Sequence, residues 1–358
     1  MAYTAIDDPS AYFGTTLYTG NETVRALTFD GNSDLDVDWI WLKSRSATGN
    51  HHLYDSVRGT QKHLRTNLNS AEGTNSGTDG VTAFSSNGVT IGTNTASNDD
   101  GVTFVGWGWK AGTSFTNDAS STSIGSIDSA GSFNNDAGFS ICSFTGNGTS
   151  GASVKHGLST KPAMMIIKNR DEADSWQVYH HKNTSAPATE TLQLNETGAT
   201  VDTANRWNDT EPTTAILTLG DNPTVNKNGI KYIVYIFSEK QGYSKFGSYT
   251  ANANADGTFV YTGFKPAFLL IKNTSQATDW IMYDNKREGF DPQNKEFATN
   301  GDAVEANAED NNVQFCANGF KTRNTGTKTN ADAGDILIYM AFAEQPFVSS
   351  SGVPATAR

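Results

Sequence analysis

The sequence is poor in the residues that build helices, disulfide frameworks and membrane spans. It has two cysteines, nine prolines, 15 leucines and 12 glutamates in 358 residues. Cys142 and Cys316 are far apart, and we expect both to be buried free thiols in a chain made in a reducing cytosol. No apolar run approaches the ~20 residues of a membrane helix, and Met1 to Pro9 lacks the basic and apolar regions of a signal peptide. These shortages favour a fold without long helices.

Positive charge is also scarce. The formal net charge is −12, and Lys and Arg never occur in a run. Binding to nucleic acid or to an anionic membrane needs clustered positive charge, because both surfaces carry phosphate. We therefore predict no nucleic-acid partner and no membrane insertion.

Turn-forming residues and aromatic residues are abundant. Gly, Asn, Ser and Thr make up about two fifths of the chain, and 7 Trp, 19 Phe and 12 Tyr supply large core side chains. The first group favours turns and short strands, and the second provides enough apolar surface for a packed core. The composition predicts an all-β protein.

One pattern occurs three times along the chain. An apolar run ends on Lys43 (Trp-Ile-Trp-Leu-Lys), on Lys168 (Met-Met-Ile-Ile-Lys) and on Lys272 (Phe-Leu-Leu-Ile-Lys). A tyrosine follows each lysine by eleven residues, at the positions Tyr54, Tyr179 and Tyr283. An aromatic stretch precedes each run and an aromatic strand closes each copy.

The repeat predicts three tandem, independently packed β-sandwich domains of jelly-roll or lectin-like type, because short strands with polar turns bury alternate residues in that way. The predicted boundaries are an N-terminal anchoring arm (1–9), domain 1 (10–112), a Ser/Asn/Gly-rich linker (113–137), domain 2 (138–241), domain 3 (242–347) and a C-terminal tail (348–358).

The chemical motifs point away from catalysis. The glycines of 146–151 match a dinucleotide fingerprint in letters, but Pro162 follows where a helix should begin. The acidic stretch 34–38 lacks the glycine and the glutamate that a calcium loop needs at its sixth and twelfth positions, where Trp39 and Arg45 stand. The stretch 171–174 is no glycosidase pair, since the equivalent loops of the sister copies carry no carboxylate. We predict no catalytic residue, no metal and no cofactor.

Aromatic residues leave one alternative open. Trp280 recurs as Trp176 in the second copy, so it is either a core residue or a sugar-stacking platform. Trp207 lies outside the repeat anchors and is the better candidate for an exposed platform. These two residues, Trp207 and Trp280, are the predicted glycan-binding residues.

Several segments resemble a known family. They are the stretch from Gly138 to Gly148, the Ile-Lys-Asn-Arg block ending at Arg170, the stretches 242–250 and 259–267, and the strand from Ile338 to Phe347. Together they resemble an uncharacterised repeat domain of virion structural proteins, tail-fibre-like or capsid-decorating, of tailed marine bacteriophages. The resemblance spans nearly the whole chain and brings no catalytic residues with it.

The resemblance implies a non-enzymatic virion protein, made in the host cytoplasm and displayed on the particle surface. We expect other virion proteins as partners, a homo-oligomeric state and attachment through the N-terminal end. The residues predicted to anchor it are Tyr3, Ile6, Asp7, Asp8 and Pro9. The alternatives are a receptor-recognition protein that binds host glycan and, last, a glycan hydrolase.

Overall fold

The structure is a computed structural model that describes residues 3–287, 292–307 and 309–354. Residues 1 and 2 of the predicted arm and 355–358 of the predicted tail lie outside these ranges. The protein is all-β, as the composition predicts. Its sheets are mainly antiparallel, and the helices are single turns. We call 10–112, 138–241 and 242–347 repeats 1, 2 and 3.

The strands and helices follow one another in similar order in the three repeats. Repeat 1 contains β1 (Phe13–Thr19), β2 (Arg25–Leu27), β3 (Trp39–Ser44), β4 (His52–Asp55), β5 (Lys62–His63), β6 (Gly73–Thr74), β7 (Val81–Ser85), β8 (Gly88–Ile91), α1 (Thr95–Asn98) and β9 (Thr103–Trp109). The next segment contains β10 (Thr113–Asn117), α2 (Ala119–Thr122) and β11 (Ser129–Asn134).

Repeat 2 contains β12 (Phe139–Thr145), β13 (Ala152–Lys155), β14 (Met164–Asn169), β15 (Gln177–His180), β16 (Glu190–Gln193), β17 (Val201–Asp202), α3 (Ala204–Trp207), β18 (Ile216–Leu219), α4 (Pro223–Asn226) and β19 (Lys231–Phe237). Repeat 3 contains β20 (Ser244–Thr250), β21 (Phe259–Tyr261), β22 (Phe264–Asn273), β23 (Ile281–Asp284), β24 (Lys295–Ala298), β25 (Ala306–Asn307), β26 (Val313–Cys316), β27 (Gly319–Thr322) and β28 (Ile336–Pro346).

Each repeat has a large inner sheet and a small outer sheet. The inner sheets have equivalent strand orders, β1-β9-β3-β4, β12-β19-β14-β15-β16-β17 and β20-β28-β22-β23-β24-β25. The outer sheets are β2-β8-β7, β13-β18 and β21-β27-β26. The predicted equivalences are confirmed: Lys43, Lys168 and Lys272 are each the second-last residue of the third strand in these orders, before Ser44, Asn169 and Asn273.

Each inner sheet is covered on both faces. Its outer face packs on the small sheet of the same repeat, which gives three separate apolar clusters. Its inner face packs on the inner faces of the other two repeats in one common cluster, the central core. The central core includes the aromatic residues Trp39, Trp41, Trp107, Trp109, Phe139, Trp176, Tyr235, Phe237, Phe268, Trp280 and Phe342.

The central core corrects the expectation of independently packed domains. The indole ring of Trp39, from repeat 1, stacks on the ring of Tyr235, from repeat 2, with centroids 4.6 Å apart. The Phe13 ring stacks on Phe342, from repeat 3, at 5.3 Å. Burial of these rings is a main source of stability, so each repeat depends on the other two for its core.

The segment 113–137 is also different from the prediction. Its strands β10 and β11 form a hairpin-like extension of the inner sheet of repeat 2, and β11 pairs with β12 along its length. The side chains of Phe115 and Phe133 pack against the outer cluster of repeat 2. This segment is therefore part of a sheet and a core, and it is not a linker.

Buried asparagines fix the loops in the same way in each repeat. Asn98, Asn226 and Asn330 have no exposed surface. The side-chain NH₂ of each donates to nearby loop carbonyl oxygens. The side-chain oxygen of each accepts a backbone N–H from an earlier asparagine, which is Asn21 for Asn98, Asn147 for Asn226 and Asn252 for Asn330. Every buried amide needs such partners, so these asparagines hold the loop ends together.

Candidate functional site

Three interfaces between the repeats form a closed ring. We call them the first seam (repeats 1 and 2), the second seam (repeats 2 and 3) and the third seam (repeats 3 and 1). At the position eight residues after the repeat lysine, the Trp176 indole N–H donates to the Arg65 carbonyl at 3.0 Å, across the first seam. The Trp280 indole N–H donates to the Gln193 carbonyl at 2.9 Å, across the second seam.

His51 takes the same role in the third seam. Its Nε2 lies 3.1 Å from the Ala298 carbonyl, and its Nδ1 accepts a hydrogen bond of 2.8 Å from the Trp41 indole N–H. These contacts require a neutral ring with its proton on Nε2. Burial, together with the charge of Lys43, holds the pKa of His51 well below its usual range. His51 is thus a structural substitute for tryptophan.

The first seam contains a chain of four charges, of which Asp55 and Arg58 are buried and Glu72 and Arg170 are partly buried. Arg58 Nε lies 2.5 Å from the Asp55 carboxylate, and Glu72 joins Arg58 to Arg170 at 3.3 and 2.8 Å. Across the seam, the Tyr235 hydroxyl donates to Asp55 at 2.7 Å. A buried charge is costly unless it is paired and hydrogen-bonded, and this series of ion pairs provides the partners.

The third seam repeats the same arrangement. Arg287 Nε lies 2.6 Å from the Asp284 carboxylate, and Glu305 lies 3.6 Å from Arg287 and 2.8 Å from Arg45. The Trp107 indole N–H donates to Asp284 at 3.1 Å in place of the tyrosine hydroxyl. Two of the three seams are therefore held by equivalent ion-pair chains.

The second seam has neutral residues at all four positions. Equivalent backbone hydrogen bonds establish the match: Glu72 N–H donates to the Arg170 carbonyl at 2.8 Å and Glu305 N–H to the Arg45 carbonyl at 2.9 Å. In the second seam, Thr200 N–H donates to the Thr274 carbonyl at 3.0 Å.

The residues of the second seam that are equivalent to the buried Asp and Arg of the other seams are identified by their place relative to the strand end. His180 lies at the strand end that Asp55 and Asp284 occupy in the sister repeats, and Asn183 follows it at the spacing of the two arginines. His180 Nε2 contacts the Tyr339 carbonyl at 3.2 Å. Burial lowers the pKa of His180 to about 3, so this histidine is neutral and the seam carries no charge at these positions.

An open groove of about 450 Å³ occupies the second seam. We call it the second-seam groove. It is lined by Lys182, Asn183, Thr184, Ser185, Thr200, Ser248, Thr274, Ser275 and Ile336. The size is in the range of pockets that take small ligands, and most of the lining residues carry hydroxyl groups.

The three repeat lysines are buried at equivalent strand ends. The ammonium groups of Lys43, Lys168 and Lys272 each donate to the backbone carbonyl of the next residue at 2.7–2.8 Å. Each also contacts a further loop carbonyl at 3.1–3.5 Å. Burial lowers the pKa of each of these lysines to about 8. The contacts make them clamps for the loops at one end of the central core.

Neither tryptophan predicted to bind glycan presents a ring to solvent. Trp207 and Trp280 are each 1% exposed. Trp207 packs in the outer cluster of repeat 2, where its N–H donates to the Glu190 carbonyl at 3.0 Å. Trp280 lies in the central core. The prediction that Trp207 is exposed is corrected, because α3 turns its side chain inward.

The predicted anchoring residues are occupied by contacts within the chain. The Tyr3 hydroxyl lies 2.9 Å from that of Tyr261, and Ile6 is 4% exposed inside the central core. The Asp7 carboxylate accepts the Ser350 N–H at 2.6 Å, and Asp8 accepts the Ser10 N–H at 3.1 Å. Pro9, also buried, begins a 3₁₀ turn. The described part of this segment packs on the rest of the chain and is not an extended arm. That it anchors the protein to a particle stays a prediction.

Acidic residues in the loop 171–174 are paired. Glu172 lies 2.6 Å from the Lys227 ammonium, and Asp174 accepts a hydrogen bond of 2.6 Å from the Asn169 amide. Among the residues that the structure describes, no group of three or more His, Cys, Asp or Glu could hold a metal ion. Within those ranges, no helix has the length and apolar character to cross a membrane.

Comparison with known families gives one match. The model of a domain of unknown function, DUF7483, matches residues 8–346, from the 3₁₀ turn before β1 to the end of β28. The chain belongs to the DUF7483 family. Because the match covers all three repeats, the three repeats together form one DUF7483 domain. No curated protein and no solved structure matches the chain.

Two features of this DUF7483 domain have weak sequence signals. The seam charges are scattered singletons in the sequence, so their pairing could not be read from spacing. The second-seam groove arises from short neutral residues at repeat positions where the sister copies carry Arg and Glu. Aligning the repeats would have shown Thr274 opposite Arg45 and Arg170, which was the one available signal.

Proposed function

We propose that this DUF7483 protein is a non-enzymatic structural component of a bacteriophage particle, displayed on its surface as a tail fibre, tail appendage or capsid decoration. The observation that carries the proposal is the shared central core. It joins three sandwich-like repeats, of jelly-roll or lectin-like type in our proposal, into one body. A protein built in this way suits a permanent place on a particle that must survive outside the cell.

Three further points support this proposal. The buried ion-pair chains and hydrogen bonds of the seams add directional contacts to the core, and such networks favour one fixed arrangement of parts. The sequence resembles virion proteins over nearly its whole length. An acidic surface with net charge −12 also keeps a highly displayed protein soluble.

We propose that a surface of repeat 3 also takes part in attachment to the particle. On β21, the side chains of Phe259 and Tyr261 are 46% and 53% exposed, and they alternate with the buried Val260. Exposed aromatic side chains are enriched at protein interfaces. In our proposal, this face of the outer sheet of repeat 3 contacts a neighbouring virion protein, and the chain assembles with copies of itself in the particle.

The test is incorporation into particles. Phage particles are purified from cells that make the wild-type protein or the F259S/Y261S variant, and the protein is quantified per particle by mass spectrometry. Bound antibody fragments then locate it by cryo-electron microscopy. We expect wild-type protein on the particle surface and a large loss of the variant.

A control variant has T113S, at an exposed position of β10. Absence of the wild-type protein from purified particles would refute the proposed function. Normal incorporation of F259S/Y261S would refute only the proposed contact face. Release of reducing ends from host polysaccharide by the purified protein would instead establish the hydrolase alternative.

A further inference from the structure

The second-seam groove exists because the four positions that carry charged residues in the other two seams all carry neutral residues in this one. In the other two seams, removing one charge alone would leave its buried partners unpaired, at a large cost in stability. The second seam has His180, Asn183, Thr200 and Thr274 at these positions, and the last three are shorter than Arg or Glu. The space that long side chains fill elsewhere is open here.

A buried amide is directed at this space. Asn183 is 4% exposed, and its Oδ1 accepts a hydrogen bond of 2.7 Å from the Thr200 hydroxyl. Its Nδ2 makes no hydrogen bond to any residue in the described ranges. This donor is not enclosed by protein, so it faces the open groove, where a ligand hydroxyl or carbonyl oxygen can accept its hydrogen bond.

The edge of β20 provides backbone groups on another side. Along this edge, Phe246 N–H donates to Glu239 at 3.0 Å, and its carbonyl accepts from His181 Nε2 at 2.6 Å. The next residue whose N–H and C=O point away from β28 is Ser248, which lines the groove. Within the described part of the chain, no group is bonded to them.

In repeat 2, the equivalent strand edge, that of β12, is covered by another strand. Ser143, the equivalent of Ser248, pairs with Ala130 of β11, which lies along the edge of β12. In repeat 3, no equivalent insertion occupies the position beside Ser248 in the described structure. The edge of β20 therefore presents one donor and one acceptor to the groove.

We propose that the second-seam groove binds a neutral saccharide unit through the Asn183 amide, the Ser248 backbone and the surrounding Ser and Thr hydroxyls. Sugar hydroxyls act as donors and acceptors at once, which suits a groove that offers both. Among the lining residues there is one charged side chain, Lys182, and no carboxylate. An acidic sugar would need more positive charge, and a cation would need carboxylates.

The test restores the ion pair that the sister seams contain. In the T200E/T274R variant, the new side chains take the places of Glu72 and Arg170, or of Glu305 and Arg45, and fill the groove without leaving a single unpaired charge. The control variant T116E/A130R adds the same two charges to facing exposed positions of β10 and β11. Circular dichroism and thermal melting check that both variants fold.

The probe is an array of neutral oligosaccharides ending in hexose or N-acetylhexosamine, with sialylated and sulfated counterparts, followed by calorimetry on the best neutral one. We expect the full chain to bind a neutral glycan, T200E/T274R to bind it at least about tenfold more weakly, and T116E/A130R to bind it as wild type does. A folded N183A variant should also bind more weakly.

Three results would overturn the proposal: no binding to any neutral glycan, binding that T200E/T274R leaves unchanged, or binding to the acidic glycans alone. The proposal goes beyond a place in the particle. Glycan binding and incorporation into particles are measured separately. An absence of glycan binding would therefore refute the saccharide site and leave the proposed virion function untouched.

Discussion

Contact between Trp39 and Tyr235 should couple repeats 1 and 2 energetically. Trp39 is fully buried, and three of its ring neighbours belong to repeat 2: Tyr235 at 4.6 Å, Phe139 at 5.7 Å and Phe237 at 6.0 Å. Replacing a buried Trp by Leu loses part of the ring contacts and leaves a cavity. We expect W39L to reduce the free energy of unfolding by about 3 kcal/mol.

A double-mutant cycle isolates the part of this loss that crosses the first seam. W39L, Y235L and the double variant are unfolded in guanidinium chloride, and the coupling energy is obtained from the four free energies of unfolding. A stacked aromatic pair contributes about 0.5–1.5 kcal/mol beyond buried area, so we expect a coupling of about 1 kcal/mol.

The cycle has two controls. Y235F keeps the stacked ring and loses only the hydroxyl bond to Asp55, so its coupling to W39L should be near zero. The pair W39L and F320L should also be additive, because Phe320 lies in the separate outer cluster of repeat 3. If W39L and Y235L are additive within error, the reasoning that the two repeats share one core is refuted.

Four further predictions follow from the seams, the lysines and the chain segments. E72Q should cost about 2 kcal/mol at pH 7. Burial opposes ionisation of Glu72, but the hydrogen bond from Arg170 and the charge of Arg58 outweigh it and hold its pKa below the usual range. The stability that the ionised group adds is lost as pH falls through that pKa, so urea unfolding of E72Q and wild type should converge once the pH is below it. Acetylation mapped by mass spectrometry should label Lys161 in the native protein and spare Lys168, despite the pKa of Lys168 near 8. Deleting residues 2–9 should lower the melting temperature, because Ile6 leaves the central core. Limited proteolysis should not cut first within 113–137, contrary to the linker prediction; early cleavage there would show that β10 and β11 are not firmly paired.

Repeat architecture was accessible from the sequence because equivalent strands need equivalent residues. The lysine near the end of one strand in each repeat, and the tyrosine eleven residues after it, correctly predicted which strands of the three repeats are equivalent. Runs such as Met164–Ile167, with no polar alternation, also indicated strands buried on both faces. Pattern alone could not show which surface covers the second face, since a partner sheet 100 residues away leaves no local signal.

The errors have physical causes as well. Ser, Thr, Asn and Asp dominate 113–137, but Phe115 and Phe133 supply enough apolar surface to hold a two-strand extension on a sheet edge. Trp207 follows a polar stretch and precedes an αL residue, Asn208. Its two chain neighbours are polar and half-buried, while its own ring points inward. The second-seam groove depends on the short side chains of Asn183, Thr200 and Thr274. A search of the sequence for reactive residues does not reveal such short side chains.

The most direct test of the central claim is whether the three repeats unfold together. Guanidinium unfolding of the full chain is followed by hydrogen exchange and mass spectrometry, with peptides from β3, β14 and β22 reporting on repeats 1, 2 and 3. A shared central core predicts one common midpoint and one common free energy of opening for the three peptides. Three separate midpoints, with one repeat keeping its protection after another has unfolded, would show that the repeats do not share one core.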